Sequence, residues 1–183
     1  MIADQSNVAA QQDGPLNADG VRGMLRLVLD TNAVLDWLLF RDKGFLAISA
    51  AIESRGAVAL TSDACLEELR RVLRYPEFKL DESRQAELLE QYHRHVCVVE
   101  VTEPALPSEG NDSMAAIPRC KDPDDQKFLE LASQQGAILV TKDKLLLQLA
   151  RRVAKGGRFL ILRPDLLVQR YFIPASQTQA SLR

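Results

Sequence analysis

Leu25-Arg26-Leu27-Val28-Leu29-Asp30-Thr31-Asn32 is a short aliphatic run that ends abruptly on a carboxylate, a hydroxyl and an amide. It is too continuously apolar for a strand with one wet face. It reads instead as a strand buried on both faces, which is the habit of a parallel sheet. Helical periodicity resumes at Ala33, so Asp30-Thr31-Asn32 should sit at the carboxyl edge of that strand. Ligands of open α/β sheets collect at that edge. An acid there is badly placed for packing and well placed for chemistry.

Outward from this stretch, strand-like and helix-like segments alternate. The pattern predicts helices over 33–40 and 44–54, a strand over 57–61, and a helix capped by Ser62 or Asp63 that Tyr75-Pro76 stops. A helix over 81–93 and a β-branched strand over 96–101 follow. Residues 102–120, with three prolines, read as the one long loop. Asp122-Pro123 opens a helix that Gly136 ends, with Asp as cap and Pro at the first position. A strand over 137–141, a helix over 142–153, a strand over 158–162 and a helix over 164–172 complete the series. The alternation predicts a three-layer α/β/α sandwich around a mainly parallel sheet, with right-handed crossovers. Residues 1–23 and 175–183 lack a periodic apolar pattern and read as flexible tails, leaving one domain over 24–174.

A formal charge of −2, from 23 basic and 25 acidic residues in 183, does not advertise a nucleic-acid binder, although net charge can hide a local basic surface. No apolar run approaches the roughly 20 residues of a membrane span. The first twenty residues lack the apolar centre of a secretory signal. Cys65, Cys97 and Cys120 are odd in number and widely spaced, the usage of reduced thiols in a cytoplasmic protein.

Three further acidic spots weigh beside Asp30. In the helix after the second strand, Cys65, Leu66, Leu69, Val72 and Leu73 form the apolar stripe. Glu67 points almost opposite that stripe and faces solvent, while Glu68 lies on its flank and can edge toward a cleft, or else pair with Arg71 or Arg74 on the surface. In Lys121-Asp122-Pro123-Asp124-Asp125 the bland reading is capping and dipole compensation, which Asp122 fits best. Asp125 borders the buried face through Phe128 and Leu129. Ile138-Leu139-Val140-Thr141-Lys142-Asp143 repeats the opening theme, with Asp143 able to cap the next helix as well. Converging carboxylates repel unless a cation neutralises them. With no His or Cys nearby, Mg²⁺ or Mn²⁺ is the natural occupant. Such ions serve phosphodiester hydrolysis.

On these residues the chain resembles the PIN-domain family of ribonucleases, and within it the toxins of bacterial toxin–antitoxin systems. The matching pieces are Leu27 to Asn32, Glu68-Leu69-Arg70-Arg71-Val72-Leu73-Arg74-Tyr75-Pro76, Cys120 to Ala132, and Leu139-Val140-Thr141-Lys142-Asp143. The resemblance implies a Rossmann-like sandwich, Mg²⁺- or Mn²⁺-dependent cleavage of RNA, an antitoxin partner and a homodimer. Carried over by position, the acidic site is Asp30, Glu68, Asp125 and Asp143, with Asp122 auxiliary and Thr31, Asn32 and Thr141 as polar helpers. Many relatives carry a further acid where this chain has Leu145, a departure that would weaken a second metal site.

Basic groups must surround an acidic pocket that meets RNA. Arg70, Arg71, Arg74, Lys142, Lys144, Arg151 and Arg152 are the candidates for phosphate contacts. Trp37, Phe40 and Phe45 could stack bases, with core or dimer packing as the alternative. His93 and His95 lie two apart, cannot share a helix face, and read as surface or packing residues. Two rivals stand. An aspartyl-phosphate phosphatase would want an Asp where Asn32 is, and a non-catalytic PIN-fold binding module needs no second metal.

Overall fold

The computed structural model describes residues 24–101 and 117–172. Both tails and most of the expected long loop lie outside them. Among the described residues, five strands form one parallel sheet: β1 (Leu25–Leu29), β2 (Ala57–Thr61), β3 (Val96–Val98), β4 (Ile138–Val140) and β5 (Leu160–Leu162). Their order is β3-β2-β1-β4-β5, so the opening aliphatic stretch is the central strand. Seven α-helices among the described residues connect and cover them: α1 (Thr31–Leu38), α2 (Leu46–Glu53), α3 (Asp63–Leu73), α4 (Glu82–His95), α5 (Gln126–Gln135), α6 (Lys144–Lys155) and α7 (Pro164–Tyr171).

The central position explains the continuous apolar run. Leu25, Leu27 and Leu29 face one core, with Trp37, Ile48, Leu69 and Leu88 from α1 to α4 and Leu167 from α7. Val28 faces the other core, with Leu60, Leu139 and Ile161 of the neighbouring strands and Phe128, Leu129 and Leu146 from α5 and α6. Successive side chains of a strand point to opposite faces, so a strand covered on both sides needs apolar residues at every inward position. The three-layer expectation holds.

β2 matches the sequence-based expectation, and the ends of β3, β4 and β5 differ from it by one to three residues. β3 stops at Val98 and not at 101. Among the described residues it is an edge strand paired on one side, although Val99 N–H still donates to the Thr61 carbonyl at 2.8 Å. α1 begins two residues early because Asp30 caps it, and α6 begins two residues late because Asp143 caps it. Gly136 ends α5 with φ 56°, the left-handed conformation that favours glycine at a helix terminus. Among the described residues, no helix is long and apolar enough to cross a membrane.

Candidate acidic active site

The order β3-β2-β1-β4-β5 places a topological switch point between β1 and β4, where the connections leave in opposite directions. Asp30 and Thr141 meet at the carboxyl edge of that point. Asp30 is only 3% exposed. One of its oxygens accepts the Ala33 N–H at 2.6 Å, capping α1, and the other accepts the Thr141 hydroxyl. Thr141 Oγ1 in turn accepts the Asp143 N–H at 2.8 Å. Asp143 Oδ1 accepts the amides of Leu145 and Leu146 at 2.6 and 3.1 Å. A single hydroxyl thus ties the ends of two strands together.

Burial pushes the Asp30 carboxyl up to about 7, with the charges of Asp125 and Asp143 adding to the rise; the Thr141 and Ala33 hydrogen bonds oppose it. Asp125 is raised to about 6, first by burial and then by Asp122, Asp143 and Glu68. Asp125 stands at the junction of a 3₁₀ turn (Pro123–Asp125) and α5, and Asp122 caps that turn by accepting the Asp124 N–H at 2.9 Å. The acids predicted to converge are therefore within electrostatic reach of one another.

Glu68 is drawn into the same rim, and Glu67 faces solvent. Glu68 Oε1 accepts the Thr31 hydroxyl at 2.7 Å, and Oε2 forms an ion pair with Lys127 that lacks hydrogen-bond alignment. Lys127 also donates to the Asp124 carbonyl. Sequence reasoning does not single out Lys127. The available signal is its place four residues before the buried Leu131, on the flank of the stripe that packs α5 on the sheet. Asn32 is exposed and makes no side-chain hydrogen bond among the described residues, so the backbone at Ala33 holds Asp30 and Asn32 does not.

The donor set is all carboxylate and hydroxyl, which suits a hard divalent cation. Among the described residues, no three Asp, Glu, His or Cys side chains are placed to hold one ion together. The residues fit an ion bound through one or two carboxylates that keeps several waters, which is the habit of Mg²⁺. Asp30 and Asp125, whose protonated forms are favoured by their surroundings, would be held ionised by it.

Around this rim several candidate cations are already matched. Arg70 pairs with Glu67 at 3.1 Å and Arg71 with Asp124 at 3.0 Å. Lys142 bridges Asp36 and Asp42 at 2.6 and 2.7 Å. Arg74, Lys144, Arg151 and Arg152 are exposed and have no ion pair among the described residues. Trp37 and Phe45 are buried, Trp37 against Tyr92 and His95; Phe40 is exposed beside Phe78.

No curated protein matches the chain. The crystal structure of DNA-bound VapBC from Salmonella typhimurium superposes with a TM-score of 0.50 at 19% identity, over 77% of this chain and 99% of that one. That of VapBC2 from Rickettsia felis, bound to a DNA fragment from their promoter, gives 0.51 at 10% identity, over 76% and 98%. At such identities the likeness is one of fold. The profile of the PIN domain matches residues 26–145, a span that runs from β1 into α6 and contains every acid of the rim. The chain belongs to the PIN-domain family, whose members are typically nucleases.

Proposed function

We propose that this chain is a Mg²⁺- or Mn²⁺-dependent endoribonuclease and the toxin of a toxin–antitoxin pair. The observation that carries the proposal is the buried Asp30 carboxyl at the switch point, pushed up to about 7 in the field of Asp125 and Asp143. A group titrating near 7 is only about half ionised at neutral pH, and a cation beside it favours the ionised form. A divalent ion bound there supplies Lewis-acid polarisation of the phosphate and a more acidic water. One or two of Asp30, Asp125 and Asp143 would hold it directly and the rest of the rim through bound water, with Asp122 auxiliary.

The chain's own groups do the positioning. The Ala33 amide and Thr141 hydroxyl fix the Asp30 oxygens, and the first amides of α6 fix Asp143. Thr31 orients Glu68 toward the rim. Arg74, Lys144, Arg151 and Arg152, exposed and without an ion pair among the described residues, are available to RNA phosphates. An antitoxin partner is supported by the likeness to the VapBC structures together with the resemblance of the motifs.

Tag-free protein should cleave single-stranded RNA with Mn²⁺ and stop on chelation, and both Asp30→Asn and Asp125→Asn should abolish cleavage. Equal residual activity in both variants would trace it to a contaminant. Expression should arrest growth, and a neighbouring gene's product should relieve the arrest. The absence of a three-carboxylate cage among the described residues favours one second reading, a weakly active binding module. Retained RNA binding without any Mn²⁺-dependent cleavage would select it.

A further inference from the structure

We propose that Lys127 is the resident counter-cation of the acidic rim: its ammonium holds Glu68 where a second divalent ion would otherwise stand, so the rim takes one ion, on the side of Asp30, Asp125 and Asp143. The inference deepens the proposed function and rests on it for the identity of that ion.

Glu68 is already committed at both oxygens, Oε1 to the Thr31 hydroxyl at 2.7 Å and Oε2 to the Lys127 ammonium. The ammonium is anchored from its other side by the Asp124 carbonyl, and it lies 5.3 Å from the centre of the Phe128 ring. The two side chains are 22% and 12% exposed, unlike the surface pairs Arg70–Glu67 and Arg71–Asp124, whose side chains are between 37% and 71% exposed. Shielding of this kind makes the attraction stronger than in an open pair and makes loss of one partner costly, since the other charge is left partly buried. A divalent ion brought to Glu68 would have to displace the ammonium or share the carboxylate with it, and like charges a few ångströms apart oppose that. Asp125, two residues before Lys127, has no such commitment, because its carboxylate accepts no hydrogen bond from a described residue. The rim is therefore divided into a half closed by a lysine and a half left for an ion.

Lys127 acts here as a positioning residue, and its test reads binding and metal-free stability as well as cleavage. Isothermal titration with Mn²⁺ should give one site in the wild type. Lys127→Met should add a second site or tighten the first by on the order of tenfold or more. In chelator-treated protein the same substitution should lower the melting temperature by about 5 °C or more, and adding Glu68→Gln should restore most of it. Unchanged Mn²⁺ stoichiometry and affinity in Lys127→Met would overturn the proposal, as would a melting loss that Glu68→Gln fails to relieve. If Lys127→Met does not fold, Glu68→Gln alone decides. It frees the ammonium to repel the ion, so weaker Mn²⁺ binding supports the inference and unchanged binding overturns it. A wild type that takes up no Mn²⁺ sinks the proposed function, and the melting cycle, run without metal, then tests the Lys127–Glu68 pair on its own.

Discussion

The ends of β1 and β4 are built from the same three ingredients, an aliphatic strand, a threonine and an aspartate that caps the following helix, yet their acids have different fates. At β1 the aspartate comes first and the threonine second. Asp30 is then still within the sheet edge, flanked by β2 and β4, and is almost fully buried. At β4 the threonine comes first and Lys142 intervenes. Asp143 is carried past the edge into a half-buried position, while Thr141 stays inside and donates to Asp30. Two residues of offset convert one motif into a buried acid with a raised pKa and a more accessible acid that primarily starts a helix. The buried end should therefore govern chemistry and the accessible end should govern local stability.

The largest expected effect tests that division directly. Asp30→Asn keeps the cap acceptor but removes the charge, and RNA cleavage should fall by about a thousandfold or more, in line with the loss of a group that stabilises charge in the transition state. Asp143→Asn should fall less. An equal loss at both ends would break the comparison and make the rim a symmetric cage. Next comes Thr141→Val, which leaves a buried carboxylate oxygen without its donor and the Asp143 amide without its acceptor. It should cost about 1–3 kcal/mol in urea denaturation and raise the Asp30 pKa further.

The pH response sharpens the comparison further. Asp30 in the folded chain holds its proton up to about 7, whereas its ordinary value is 3.8. Between those values the folded state binds more protons than the unfolded state, so stability falls as pH rises through the window. Metal-free wild type should lose urea resistance across that range more steeply than Asp30→Asn, and Mn²⁺ should remove the difference. Identical slopes would mean the carboxyl is not perturbed. Smallest, Asp143→Ala should cost about 1 kcal/mol through the lost cap of α6, read as a shift in the denaturation midpoint.

Most of the fold is legible in the sequence because its signals are local: alternating periods, Asp and Ser caps, Tyr75-Pro76 and Gly136. The rim is legible as a set of positions because strand ends and helix starts can be read from the chain. What the sequence does not show are matters of tertiary pairing. Arg71 reads as a free cation or as a partner of Glu68, and it pairs with Asp124, 53 residues away. Lys142 looks like a phosphate contact beside Asp143, and it turns back onto Asp36 and Asp42. Lys127 is hidden for the same reason, since its partner lies on another helix. The position of Asn32 suggests a helper of Asp30, a task that a backbone amide performs.

The bond between Thr141 and Asp30 spans 111 positions of chain. A polypeptide still being synthesised and stopped before Cys120 carries Asp30 and Glu68 but neither Asp125 nor Asp143. On the proposed function, the acidic rim is therefore complete only once β4 has paired with β1. The order of strands in the sheet thus makes the rim depend on residues from both halves of the chain.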